Sequence, residues 1–133
     1  MTEPVWIDAR DALMLHDRLL ALHGGAAGVR DDGLLQSALA RPQQHYAYAD
    51  TPDLIEMATA YTAGIVRNHP FVDGNKRTGF VVGILFLELN GYRFTATQES
   101  AAQAVIELAA GTLDEAGYTS FLRANTEVQR EKR

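Results

Sequence analysis

Residues Arg67 to Phe80 read RNHPFVDGNKRTGF, and the apolar run Phe80 to Leu87 follows at once. Pro70 disfavours a helical conformation in the residue before it, so a helix that reaches this stretch should end near Asn68. Gly74 permits the sharp turn that a new helix start requires. We therefore predict a tight loop that leaves one helix and enters the N-terminus of a second, central buried helix.

Apolar residues at three- and four-residue spacing, together with capping residues, predict helices over most of the chain. The predicted helices are Asp8 (as N-cap) to about His23, Asp32 to Ala40, Asp53 to about Asn68, Asn75–Arg77 to Leu89 or Asn90, Thr97 (as N-cap) to Gly111, and one whose capping box is Thr112 with Glu115. The second of these should stop before Pro42. The pattern predicts an all-α protein, a compact bundle of about six helices.

The remaining segments should connect these helices or end the chain. The glycine-rich stretch GGAAG, residues 24–28, should break the first helix, and YRFTAT, residues 92–97, reads as extended chain or a minimal strand. TEVQREKR, residues 126–133, reads as a frayed C-terminal tail. Because no linker or repeat divides the chain, residues 1–125 are expected to form a single domain.

Composition excludes several classes of function. A net charge of −5 over 133 residues argues against nonspecific nucleic-acid binding, which needs a broad cationic surface. The absence of cysteine excludes disulfides and thiolate metal sites. The N-terminus has no apolar signal region, and the longest apolar run is too short to span a membrane. We therefore expect a cytoplasmic protein with no membrane partner and no direct nucleic-acid partner.

The predicted helix start after the loop is a candidate anion site. Helix N-termini present unpaired backbone N–H groups and a partial positive charge, which suits phosphates above all. Gly74 lets a ligand approach the backbone closely, and Asn75 can donate or accept a hydrogen bond at the mouth of the site. Lys76 and Arg77 add two full positive charges. Singly, such residues are more often a turn and a solvated helix start; the prediction rests on their conjunction.

Two further residues of the loop add catalytic chemistry. An acid beside an anion site indicates a bridging cation, and Asp73 could bind Mg²⁺ that also contacts substrate phosphates. His69 could accept the proton of an attacking hydroxyl as a general base. This set of groups suits phosphoryl or nucleotidyl transfer from a nucleoside triphosphate. A zinc site at His69 and Asp73 lacks an evident third ligand, and the glycine and strand pattern of a P-loop is not met.

The segment HPFVDGNKR, residues 69–77, resembles the signature of Fic-fold proteins, which reads His-x-Phe-x-[Asp/Glu]-[Gly/Ala]-Asn-[Gly/Lys]-Arg. The form with lysine before arginine is similar to that of the Doc ("death on curing") toxins. GVRDDG (residues 28–33), LLQSALARPQ (residues 34–43) and LFLELNGYRF (residues 85–94) also look Doc-like, so the resemblance covers most of the chain. It implies the compact helical Fic core.

The resemblance also implies roles for the motif residues. His69 would be the base that activates a target hydroxyl, and Asp73 would bind Mg²⁺. Asn75, Lys76 and Arg77 would hold the phosphates of ATP at the helix start. Phe71, which lies between His69 and Asp73, would anchor the loop in the core. This is also the plain structural interpretation of an apolar residue there.

One departure from typical Fic enzymes bears on the reaction. Enzymes that transfer AMP usually read GNGRxxR, whereas this chain has Lys76 in place of the second glycine and Phe80 in place of the second arginine. The lysine side chain fills the space in which the phosphate chain would run along the backbone. A phenylalanine in place of the second arginine removes the cation that holds the far end of the phosphate chain. Doc toxins share this change, and they resemble kinases that move the γ-phosphate of ATP to a threonine of elongation factor Tu and so block translation. AMP transfer to a protein hydroxyl remains the alternative.

The resemblance implies a partner as well. No inhibitory helix with the pattern [Ser/Thr]-x-x-x-Glu-[Gly/Asn] occurs in the chain, so inhibition would come in trans from a Phd-type antitoxin that folds onto a groove. The first helix, with Leu13, Leu15, Leu19 and Leu22 and with Trp6 nearby, is a candidate face, although packing into the core is the better explanation of these apolar residues. A catalytically silent module that only binds an antitoxin is the alternative from another class.

Residues outside the motif receive plainer interpretations. Asp31 or Asp32 is expected to cap a helix. His16, His23 and His45 show no metal-ligand spacing, and they are read as structural or solvent-facing.

Overall fold

The structure is a computed structural model, and it describes residues 2–129. Its elements in chain order are α1 (Ala9–His23), α2 (Asp32–Tyr48), α3 (Leu54–Asn68), α4 (Asn75–Leu89), β1 (Tyr92–Phe94), α5 (Gln98–Ala110), α6 (Glu115–Ala124) and β2 (Thr126–Val128). Six helices and two three-residue strands within these residues confirm the predicted all-α bundle. None of the helices described is both long and apolar enough to cross a membrane.

Helix α3 lies at the centre of the bundle, and its neighbours approach it closely through small residues. Every residue of α3 from Met57 to Val66 is buried. At Gly79 of α4, an added Cβ would lie 3.0 Å from the Val66 side chain and 3.1 Å from the carbonyl oxygen of Thr62. The Thr62 hydroxyl donates to the carbonyl of Gly79 across the same contact, at 2.8 Å. Close packing against α3 therefore fixes α4, and with it the loop that precedes it.

Helix α2 is longer than predicted, and the prediction that it stops before Pro42 is wrong. It continues through Pro42 to Tyr48. Proline removes one backbone donor inside the helix, but Leu35, Ala38, Leu39 and Pro42 lie on one buried face. Burial of that face against the bundle outweighs the local preference of proline, which sequence spacing alone does not reveal.

The helix starts follow the predicted capping chemistry in all but one case. Asp8 and Asp11 form the capping box of α1, Asp31 caps α2, and Thr97 caps α5. The predicted capping box of Thr112 with Glu115 is wrong. Asp114 is the N-cap of α6 and accepts from the Gly117 N–H at 2.7 Å, while the Thr112 hydroxyl donates to the carbonyl of Glu107 at 3.3 Å. Asp114, two residues after Thr112, caps the helix instead, because a carboxylate is a favourable acceptor at the N-cap position.

The C-terminal segment is ordered where the structure describes it. Strand β2 pairs antiparallel with β1, with Tyr92 opposite Val128 and Phe94 opposite Thr126. The prediction of a frayed tail is therefore wrong for Thr126–Val128, and residues 130–133 lie outside the described part of the chain. Extended chain at YRFTAT is confirmed by β1.

Candidate active site

His69 occupies an unusual backbone position at the end of α3. It is the C-cap of this helix with φ 54° and ψ 53°, and it is the only non-glycine residue with positive φ among residues 2–129. Its N–H donates to the carbonyl of Ile65 at 3.1 Å, while its side chain is exposed to solvent. Such a conformation costs free energy in a non-glycine residue and persists only where surrounding contacts impose it.

Arg30 provides the strongest of those contacts. Its guanidinium donates through Nε to the carbonyl of His69 at 2.7 Å and through Nη2 to the carbonyl of Asn68 at 2.9 Å. The backbone N–H groups of Arg30 and Asp31 both donate to the carbonyl of Pro70, at 2.6 and 3.0 Å. No local pattern in the sequence predicts this role for Arg30, because these bonds span almost forty residues of chain; its only signal is a cation immediately before a helix cap.

Phe71 and His16 fix the middle of the loop. The Phe71 ring is fully buried and stacks on the His16 ring, with centroids 3.9 Å apart and planes within 9°. His16 Nε2 donates to the carbonyl of Asp73 at 2.8 Å, since a carbonyl can only accept. The anchoring role predicted for Phe71 and the structural role predicted for His16 agree with these contacts, which tie the loop to α1.

The side chain of Asn75 forms its hydrogen bonds within the loop. It is buried, its Oδ1 accepts from the Phe71 N–H at 2.9 Å, and its Nδ2 donates to the Phe71 carbonyl at 2.9 Å. These two bonds fix which amide atom is which. The second Nδ2 hydrogen then points to His69 Nδ1, 3.1 Å away. Because Nδ1 must accept this bond, the proton of the neutral His69 ring lies on Nε2 in this conformation.

The first turn of α4 presents free backbone donors. Gly74 is its N-cap in the left-handed region, with φ 78°, and no side chain caps the helix. No acceptor within residues 2–129 takes the N–H of Asn75, Lys76 or Arg77. The Lys76 and Arg77 side chains are exposed, and neither forms an ion pair with a carboxylate in the described part of the chain. Free N–H groups, the helix dipole and two cations together favour a phosphate here.

Asp73 lies beside this helix start with its carboxylate already oriented. Oδ2 accepts from the N–H of Ala26 at 3.2 Å and Oδ1 from the N–H of Gly74 at 2.8 Å. These two bonds, with smaller contributions from the charges of Arg77 and His16, hold the pKa of Asp73 below its ordinary value of 3.8. The carboxylate is therefore ionised at neutral pH, as a metal ligand must be.

The donor set suits magnesium better than zinc. No group of three or more His, Cys, Asp or Glu side chains that could hold a metal ion occurs in residues 2–129, and Asp73 is exposed. Zinc usually needs three or four protein ligands, whereas Mg²⁺ is often held by one carboxylate, water and substrate phosphates. The Asp73 carboxylate, next to a helix start whose free N–H groups and cations suit a phosphate, fits that second arrangement.

The two residues immediately before the motif form contacts that stabilise the fold. Arg67 pairs with Glu115 of α6 at 2.8 Å, and the Asn68 side chain donates to the carbonyl of Leu34 at 2.9 Å. Of the leucines of α1, Leu13 and Leu22 are exposed by 36% and 76%. Core packing therefore does not account for these two, which leaves part of α1 available to a partner.

Comparison with known proteins agrees with this geometry. The sequence matches the profile of the Fic/DOC family over residues 6–87, a range that contains the whole loop. It is 31% identical over 117 residues to Protein kinase doc of Escherichia phage P1, and the alignment covers 88% of this chain and 92% of that protein. It is 45% identical over 74 residues to Toxin Doc of Mycolicibacterium smegmatis (strain ATCC 700084 / mc(2)155), covering 55% of this chain and 57% of that toxin.

Proposed function

The chain belongs to the Fic/Doc family, and we propose that it is a Doc-type toxin that transfers the γ-phosphate of ATP to a hydroxyl of a protein. The observation that carries this proposal is the uncapped start of α4 with His69 beside it. Within residues 2–129, three N–H groups without an acceptor and two cations without a carboxylate partner lie on one helix turn, and Asn75 joins that turn directly to the His69 ring. Phosphoryl transfer needs this kind of positioning and charge stabilisation.

In the proposed reaction a target hydroxyl attacks the γ-phosphorus of ATP. A bond forms between the hydroxyl oxygen and phosphorus, the bond from phosphorus to the β,γ-bridging oxygen breaks, and ADP leaves. The hydroxyl proton passes to His69. The N–H groups of Asn75, Lys76 and Arg77 and the two side-chain cations would hold the phosphate oxygens. Mg²⁺ on Asp73 would neutralise negative charge that develops on those oxygens.

The hydrogen bond from Asn75 sets a condition on His69. A general base needs a nitrogen with a free lone pair, and Nδ1 is engaged by the Asn75 amide while Nε2 carries the proton. Proton transfer therefore requires the bond between Asn75 and His69 to break, which frees Nδ1 as an acceptor.

Lys76 and Phe80 favour phosphate transfer over AMP transfer. These residues stand where the AMP-transferring Fic pattern has glycine and arginine. The Phe80 ring is half-buried and packs edge-on against Phe94, with centroids 5.7 Å apart, so it offers no charge to a phosphate chain. ATP is then expected to bind with its γ-phosphate nearest to His69.

The proposed target and partner rest on the same family membership. We propose that the acceptor is a threonine of elongation factor Tu, that the toxin acts in the cytoplasm, and that a Phd-type antitoxin holds it inactive. Met14 and Leu22 of α1 are exposed and apolar, lie eight residues apart on one side of the helix, and support a partner-binding face there. An amphipathic antitoxin helix would be a suitable occupant.

The test uses the purified chain, Mg²⁺ and bacterial extract, in parallel reactions with ATP labelled at the γ- or the α-phosphorus. We expect label to pass to a protein of elongation-factor size from the γ position only. His69→Ala should abolish transfer, whereas His23→Ala, an exposed histidine in the last turn of α1, should leave it unchanged.

Other outcomes identify the alternatives. Transfer from the α position alone would mean AMP transfer and would refute the interpretation of Lys76 and Phe80. If neither label is transferred, with the antitoxin shown to be absent, the chain is a silent binding module.

A further inference from the structure

The segment that follows α1 packs against the carboxylate of Asp73. Gly25 lies so close that an added Cβ would be 2.8 Å from Asp73 Oδ2 and 3.0 Å from Leu20 Cδ2. The next residue, Ala26, donates its N–H to the same Oδ2 at 3.2 Å. His16 of α1 donates to the backbone carbonyl of Asp73 at 2.8 Å. Both the side chain and the backbone of Asp73 are therefore held by α1 and the residues just after it.

Two explanations account for a glycine at position 25. The first is backbone conformation, because its φ of 123° lies in a region that other residues rarely adopt. Gly28, with φ 115°, has the same requirement, but a Cβ there would lie 3.5 Å from Val72 Cγ2, which is an ordinary contact. The second explanation is space for the carboxylate. It applies to Gly25 alone of these two, since a carbon atom and an oxygen atom 2.8 Å apart overlap.

The carboxylate is the group that would move if position 25 carried a side chain. Oδ2 is at the end of an exposed side chain, which can turn about its side-chain torsions more easily than the backbone can shift. Turning would break the bonds to the N–H groups of Ala26 and Gly74. A methyl group at position 25 should therefore displace the charge of Asp73 and leave the core packing intact.

We propose that Gly25 is a positioning residue for Asp73. Its missing side chain and the neighbouring N–H of Ala26 set where this carboxylate meets Mg²⁺, and they select aspartate over glutamate at position 73. A glutamate is one methylene longer, so its carboxylate would run into the backbone at Gly25. The inference rests on the proposed function, in which Asp73 holds the metal. Groups that orient a metal ligand in this way commonly contribute about 10- to 100-fold to metal affinity or activity.

The test measures metal binding separately from catalysis. Calorimetry with the full chain gives the affinity for a non-hydrolysable ATP analogue with Mg²⁺ and with EDTA, and the ratio of the two is the Mg²⁺ effect. Gly25→Ala should reduce the Mg²⁺ effect by about tenfold. Gly28→Ala carries the same backbone strain and should change it by less than about twofold. In the Asp73→Asn background, Gly25→Ala should have no further effect, because the metal ligand is already lost.

A second variant leaves the backbone at position 25 unchanged. Asp73→Glu lengthens the acid toward Gly25, and we expect it to lose the Mg²⁺ effect as Gly25→Ala does, with a circular dichroism spectrum like that of wild type. In the labelled transfer assay, Gly25→Ala should raise the Mg²⁺ concentration that gives half-maximal rate by about tenfold, with a smaller change in kcat at saturating Mg²⁺.

Each contrary result has a distinct meaning. A Mg²⁺ effect that is unchanged in Gly25→Ala, reduced equally in Gly28→Ala, or retained in Asp73→Glu overturns the positioning role and leaves the proposed function standing. A wild-type chain that does not bind the nucleotide analogue overturns both.

Discussion

His69, the proposed general base, is held by groups that are remote from it in the sequence. Its strained backbone is held by Arg30 from the segment before α2, and its ring is held by Asn75 from α4. The sequence could identify His69, Asp73 and Asn75 because a short local motif contains them. It could not reveal that the side-chain amide of Asn75 is hydrogen-bonded to Phe71 and His69, because these bonds depend on the shape of the folded loop.

Arg30 should act as a positioning residue. Arg30→Ala removes two charge-assisted hydrogen bonds and should cost about 2–3 kcal/mol of unfolding free energy. Because His69 then shifts, kcat should fall about 10- to 100-fold with little change in KM. Arg30→Lys should recover part of the stability, and Arg18→Ala, on an exposed face of α1, is the control. A rise in KM with unchanged kcat would contradict the positioning role.

Asp73 should contribute stability that depends on pH with a defined sign. Its pKa is lowered in the folded state, so the ionised form stabilises the fold, fully so above the unfolded value near 3.8. Wild type should therefore exceed Asp73→Asn in denaturant stability near neutral pH, and the difference should shrink as the pH falls below about 4. Urea titrations of both proteins across this range measure it. A difference that stays constant with pH would show that the charge is not involved.

At the scale of elements, helix existence was predictable and helix length was not. Local periodicity and capping residues specify α1, α3, α4 and α5 within a residue or so. Helix α2 runs past Pro42 because its buried face packs in the bundle, and the start of α6 shifts to a better cap. Both misses arise where a contact or a competing acceptor outweighs the pattern from which the prediction was made.

The contact between α3 and α4 should be intolerant of a single methyl group. A Cβ at Gly83 would lie 3.0 Å from the carbonyl oxygen of Ala58 and closer still to the Thr62 hydroxyl. Gly83→Ala should therefore destabilise by about 1–3 kcal/mol, although alanine favours helix. Chemical denaturation measures the loss, with Ser37→Ala at an exposed position of α2 as the control. Equal or greater stability in Gly83→Ala would show that the helices can move apart freely.

Tyr61 links α3 to the chain before α1, and this link should fail in alkali. Its hydroxyl accepts from the Ile7 N–H at 2.8 Å and donates to the Ile7 carbonyl at 3.2 Å, and burial raises its pKa from 10.0 to about 12. A raised pKa means that stability present below pH 10 is lost as the pH rises toward 12. Tyr61→Phe should be less stable at neutral pH but should lose less between pH 10 and 12. Parallel curves for the two proteins would rule out this ionisation.

For the whole molecule, the sequence predicted the class and the central arrangement, and it missed long-range pairings. The loop between two buried helices follows from proline, glycine and an apolar run that are adjacent in the chain. The pairing of Thr126–Val128 with Tyr92–Phe94 joins segments more than thirty residues apart, and neither is apolar enough to stand out. The contact of Gly25 with Asp73 likewise joins segments far apart in the chain.

The most direct test of the central claim is an NMR titration of the ¹⁵N-labelled chain with Mg²⁺ and a non-hydrolysable ATP analogue. If phosphates bind at the start of α4, the backbone amide signals of Asn75, Lys76 and Arg77 should shift most, because their N–H groups have no acceptor within residues 2–129. Tripolyphosphate should reproduce these shifts. Unmoved signals from these three amides, with saturable shifts elsewhere in the chain, would contradict the account.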